Sequence, residues 1–189
     1  MDFIEKLKGF ITKPSKAFKS EQKTTVGDAL NYGLIGAAIV SILSGIVFVL
    51  GFTTKLPFAA QATDTLSAII FFIIIGFIGA LIGLMFNSLW LHLWVYIFGG
   101  RTGIGNTFKT VFYSYSPIYA LGWIPIVSFF ARIWYYILIV IGLTKLQKMS
   151  VGRAIGAVVV SIVIPLIIFI ALSFWTILSI GPAAFAGLE

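Results

Sequence analysis

The sequence predicts an all-α, polytopic membrane helical bundle, with five transmembrane helices behind a basic, amphipathic N-terminal segment. Three observations predict it. Hydrophobic residues make up 60% of the 189 residues and charged residues 10%, with a mean hydropathy of +1.08, whereas a soluble chain is about a quarter charged. The apolar residues fall in runs of the roughly 20-residue length that crosses a bilayer. The charges collect at the ends of those runs. A soluble fold of this composition would expose apolar patches larger than soluble monomers carry. The chain divides into a cytoplasmic basic amphipathic segment, 1–28, and a five-helix transmembrane domain, 29–189.

In the first segment Phe3, Leu7, Phe10 and Ile11 share one helical face, with Lys6, Lys8 and Lys13 around it. Pro14 ends that helix and Phe18 adds an apolar anchor. Two readings fit. The face lies on an anionic leaflet, as basic amphipathic helices do, or its apolar residues cap the bundle. No signal peptide is visible, because residues 1–28 contain no short apolar run ending at a small-residue cleavage site.

The first span is Leu30 to Phe52, and a polar stretch with Lys55, Pro57 and Asp64 follows it. The second, Leu66 to Phe98, has no charge. As one helix it reaches roughly 50 Å and must tilt or emerge from the bilayer. The glycine-rich loop Gly99 to Asn106 ends it. The third span is Thr107 to Ile124 with Pro117 inside, the fourth Ile126 to Thr144, and the fifth Ala154 to Ile180 with Pro165 inside. Each internal proline frees a carbonyl and kinks its helix.

Five spans put Lys6, Lys8, Lys13, Lys16, Lys19, Lys23, Arg101, Lys109, Lys145, Lys148 and Arg153 on one side, against Lys55 and Arg132 on the other. Positive charge favours the cytoplasm, so the N-terminus is expected inside and the C-terminus outside. The net charge of +7 therefore reads as membrane topology rather than nucleic-acid binding. Small residues recur where helices pack closely in lipid: Ala37, Ser41 and Gly45 in span one, Gly76, Gly79 and Gly83 in span two. They suit packing within one chain or between copies in a homo-oligomer. Gly76, Gly83, Asn87, Trp90 and Trp94 share one face, and Trp90, Trp94 and Tyr96 suit an aromatic belt.

The chemistry on offer is narrow. No carboxylate lies within a span, there is one histidine, and cysteine is absent. That argues against a carboxylate-bearing triad, a metal site and carboxylate-coupled transport. No cofactor is implied, and the expectation is a non-enzyme. Candidate contacts for anionic headgroups or protein partners are Lys6, Lys8, Lys13, Arg101 and Lys109. The last two flank a glycine-rich loop that either reverses the chain tightly or cradles a phosphate. The candidate intramembrane polar site is Asn87, His92, Pro117 and Arg132. His92 reads as an interfacial residue bonded to a backbone group or a headgroup, or as a switch. Arg132 stands inside span four, where an unpaired guanidinium is costly, so it is expected to meet Asp64, a lipid phosphate or helix-end carbonyls.

Several motifs occur in a telling order: Pro14-Ser15-Lys16-Ala17-Phe18, a long span ending in His92 and Gly99-Gly100, then Tyr113-Ser114-Tyr115-Ser116-Pro117. Trp134 to Gly142-Leu143 and Gly152-Arg153-Ala154 complete the series. With five spans, this order resembles the Yip1-domain family over nearly the whole chain. The resemblance implies a cytosolic N-terminus and, in eukaryotes, Rab GTPase binding and a role in vesicle traffic or membrane shaping between endoplasmic reticulum and Golgi. This chain lacks the acidic Asp-Leu-Tyr-Gly-Pro motif, which weighs against Rab binding. It is more similar to a bacterial or archaeal member, which implies the cell membrane. Two functions follow as expectations: a membrane scaffold or adaptor acting through the cytoplasmic basic face, or a small channel or transporter for ions, lipids or other solutes.

Overall fold

The computed structural model describes residues 2–49 and 65–180. Lys55, Asp64 and Glu189 lie outside them, as does the end of the first expected span. Among the described residues the chain is helical: α1 (Phe3–Thr12), α2 (Pro14–Ser20), a short 3-10 turn (Glu21–Lys23), α3 (Val26–Val49), α4 (Thr65–Ile97), α5 (Ile104–Ser114), α6 (Ser116–Leu121), α7 (Pro125–Leu146) and α8 (Val151–Ile180).

Four helices, α3, α4, α7 and α8, are long and apolar enough to cross a membrane. The single third span expected over Thr107 to Ile124 is corrected. It is two shorter helices, α5 and α6, meeting at Tyr115. The cause is Pro117, which has no N–H for the Tyr113 carbonyl four residues back. The Ser116 hydroxyl donates to that carbonyl instead. This spends the Ser116 proton, so the Tyr32 hydroxyl of α3 donates to Ser116 Oγ at 2.6 Å. Most of α5 is buried, including Thr107, Thr110, Tyr113 and Ser114, so its polar side chains are met by protein rather than lipid.

Helices α3 and α4 pair antiparallel. Along α3, Ala37, Ser41 and Gly45 are buried. Ser41 lies beside Gly76 of α4, and a Cβ on Gly45 would press on Ile73. This small-residue ridge therefore packs within the chain. On the other face of α3, a Cβ at Gly33 or Gly36 would collide with the ring of Phe112 or Tyr119. Gly79 and Gly83 differ, because nothing lies within 4 Å of a Cβ built there. Segments α5 and α6 run against α7, with Thr107 beside Gln147, Thr110 beside Gly142 and Tyr115 beside Tyr135.

Pro165 leaves the Ser161 carbonyl of α8 without a helical donor. The indole N–H of Trp90 in α4 fills it at 2.8 Å. Trp90 thus works as a cross-helix donor. The outer faces of α4 and α8 are apolar and exposed, from Ile70 to Leu93 and from Val159 to Leu178, as lipid contact requires.

Candidate functional site

The lysine-bearing end of the bundle is where the structure concentrates its polar chemistry. It begins with the N-terminal segment, which is folded onto the bundle. Phe10 and Phe18 are 0% exposed. Phe10 stacks on Tyr113 with ring centroids 4.8 Å apart and meets Phe18 edge-on at 4.9 Å. Phe3 packs on Tyr32. Phe10 of α1 is thus buried in the bundle, with Phe3 and Leu7 partly buried against it. Asp2 caps the helix by accepting from the Phe3 N–H, and Pro14 opens α2 at a position where its missing N–H costs nothing.

One carboxylate fixes this cap. Glu21, 4% exposed, accepts on Oε2 from Lys6 Nζ at 3.0 Å and from the Tyr113 hydroxyl at 2.7 Å. The Lys6 ammonium also stands 5.4 Å from the Tyr113 ring centroid. A buried charge persists only when paired and hydrogen-bonded, and Glu21 has both. Lys109 makes the second tie. Its buried ammonium donates to the Thr24 carbonyl at 2.9 Å and to that of Gln22 at 3.2 Å. Lys6 and Lys109, two of the candidate headgroup contacts, are therefore consumed inside the protein. Lys8 and Lys13 are exposed, together with Lys16, Lys19 and Lys23.

The loop from Gly99 to Asn106 is the next layer. Gly99 has φ +93, and the N–H groups of Gly99 and Gly100 return to the carbonyls of Tyr96 and Val95. This closes α4 in a Schellman turn. The chain then reverses through Gly103, at φ +97, into α5. Gln147 holds the reversal. Its Oε1 accepts from the Thr102 N–H at 3.2 Å, and its Nε2 donates to the Gly103 carbonyl at 2.7 Å and to Thr107 Oγ1 at 2.9 Å. Backbone partners on both sides fix the amide orientation. Thr107 Oγ1 lies 2.9 Å from His92 Nδ1. Thr107 Oγ1 thus accepts from Gln147 and shares a second hydrogen bond with the His92 ring. His92 bonds a side chain, where a backbone group or headgroup was expected. Ser88, four residues before, bonds its own helix at Leu84. Arg101 is exposed and lies 3.8 Å over the Tyr96 ring.

The four residues of the expected intramembrane site do not come together. His92 joins the loop network. Asn87 is half-buried on α4. Pro117 opens α6. Arg132 is exposed on α7, two turns into the helix; the expected acid, Asp64, lies outside the described residues. Among the described residues no three His, Cys, Asp or Glu side chains gather to hold a metal.

Sequence reasoning missed Glu21, Gln147 and Tyr113. Glu21 stands among lysines and reads as flank charge. Its signal was the Glu21-Gln22-Lys23-Thr24 stretch (an acid next to polar residues at the mouth of span one). Tyr113 was noticed as part of a motif and given no role.

Comparison with curated proteins and with solved structures yields no match. The Yip1 domain family matches residues 8–174, a stretch reaching from α1 through the cap, the glycine loop and the broken α5–α6 segment into the last turns of α8. On that match the chain belongs to the Yip1 domain family.

Proposed function

We propose that this chain is a non-enzymatic membrane scaffold or adaptor. Its basic end gathers anionic headgroups and protein partners, in the service of membrane organisation or traffic. One observation carries the reading: α1 and α2 are sealed to the bundle through Phe10, Phe18 and Glu21, while Lys8, Lys13, Lys16, Lys19 and Lys23 stay exposed. A loose lysine tail meets anions diffusely. A docked cap holds its charges at fixed spacing, which lowers the ordering cost of binding. Each lysine near an anionic surface contributes about 1 kcal/mol.

In this reading the cap faces the cytoplasm at the cell membrane. Segments α5 and α6 together make a fifth crossing, since they run alongside α7, and the C-terminus is outside. The chain contains no cysteine, so single cysteines added at each end report their compartments by impermeant labelling. Labelling of both ends from one side overturns this topology.

The scaffold reading is tested by changing Lys8, Lys13, Lys16 and Lys19 together to Gln. Phosphatidylglycerol retention in nanodiscs and capture of partner proteins are both expected to fall. If both are unchanged, the reading fails. A second reading, a small channel or transporter, is favoured by the buried hydroxyls of Ser114, Tyr119 and Tyr135, which have no hydrogen-bond partner among the described residues. Liposome flux that disappears on Arg132→Ala would put that reading first.

A further inference from the structure

A second basic feature lies apart from the α1–α2 cap. Gln22, Thr102, Asn106, Lys145, Leu146 and Lys148 surround a pocket of about 270 Å³ between the 3-10 turn, the glycine loop and the end of α7. No acid lines it. Neither lysine ammonium has a hydrogen-bond or ion-pair partner among the described residues, where the one ion pair is Lys6 with Glu21.

Lysines in the last turn of a helix commonly serve its exposed carbonyls. Here that work is already done. The Lys145 carbonyl accepts from Gln22 Nε2 at 3.0 Å and that of Leu143 from the Gln147 N–H at 3.0 Å, while the Thr102 hydroxyl lies between the Leu146 carbonyl and Gln147 Oε1. The two ammonium groups are left over. Lys148 is also the one non-glycine residue with positive φ among those described, at 54°. After a helix that position ordinarily belongs to glycine, and strain kept at a charged residue points to use. Thr102 and Asn106 bracket the start of α5, whose N-cap, Gly103, supplies no side-chain acceptor. The positive end of that helix adds to the two lysines.

We propose that this pocket binds a phosphate group, with Lys145 and Lys148 as its charge partners and the second N–H of the Gln22 amide beside them. The proposal does not depend on the scaffold reading, because it needs neither a partner protein nor the lysines of the cap. A lipid phosphate and a soluble phosphate offer the same chemistry here, and the experiment separates them.

The full chain in phosphatidylcholine nanodiscs is titrated with short-chain phosphatidic acid, and separately with inorganic phosphate as competitor. Saturable binding is expected. Lys145→Gln and Lys148→Gly should each weaken it about tenfold, the scale of one lost charged contact. Arg153→Gln, which removes an exposed basic side chain that lines neither the pocket nor the cap, should leave it unchanged. Lys148→Gly places the favoured residue in the left-handed position, so its Tm should hold or rise, and weaker binding there is not unfolding. Competition by inorganic phosphate assigns the site to soluble phosphates. Its failure, with lysine dependence intact, assigns the site to a lipid. No saturable binding of either probe, full binding by Lys148→Gly, or an equal loss in Arg153→Gln overturns the proposal.

Discussion

The indole of Trp90 donates to the Ser161 carbonyl, the one group in α8 that Pro165 deprives of its helical donor. The kink and its remedy thus sit on different helices. Trp90→Phe removes the donor and leaves a carbonyl unpaired in an apolar setting. The expected cost is about 1–2 kcal/mol, read as a lower Tm in detergent. Pro165→Ala restores the intrahelical bond, so in that background Trp90→Phe should cost much less.

Glu21 ties the cap to α5 through Lys6 and Tyr113. Glu21→Ala strands a partly buried ammonium and a buried hydroxyl. The loss should be roughly 3 kcal/mol, the low end for a broken buried pair because Lys6 keeps some solvent contact. Limited trypsin digestion checks it, since release of α1 and α2 opens Lys13 and Lys16 to cleavage while the membrane helices stay protected.

Gln147 and His92 share a network but not a rank. Gln147→Leu severs contacts to Thr102, Gly103 and Thr107 at once and should cost about 2–3 kcal/mol. His92→Phe leaves Thr107 with its Gln147 partner and should cost under about 1 kcal/mol. Amide exchange across the Gly99–Asn106 loop reports both, rising steeply only in the first.

The glycines divide into two groups with opposite expectations. Gly33→Ala and Gly36→Ala drive a methyl into Phe112 and Tyr119 and should destabilise by about 1–3 kcal/mol. Gly79→Ala and Gly83→Ala meet open space, and thermal melts of the single chain should not move by more than a degree or so.

The apolar runs of α3, α4, α7 and α8 were legible because each is long and nearly free of charge, a pattern that has few solutions. The Gly99-Gly100 reversal was legible too, since glycine there marks a helix end. The third run was harder. Its Thr, Ser and Tyr residues lower its apolarity because protein, not lipid, surrounds them, and Pro117 then divides it. Periodicity placed Phe3, Leu7 and Phe10 on one face, yet a face does not name what covers it. Glu21, Lys109 and Gln147 were hidden for the same reason. Apart from Lys6, 15 residues from Glu21, their partners lie 40 to 92 residues away, and sequence spacing carries no information about pairs that distant.

That separation sets an order of events during synthesis. The Glu21 carboxylate must wait for Tyr113, 92 residues downstream, to leave the ribosome. At ~5–20 residues/s the delay is roughly 5 to 20 s. Throughout it, Phe10 and Phe18 have no α5 to dock on, so the nascent N-terminus is greasy and open to chaperones or the bilayer surface. Helix α1, made long before α5, is thus among the last to find its place.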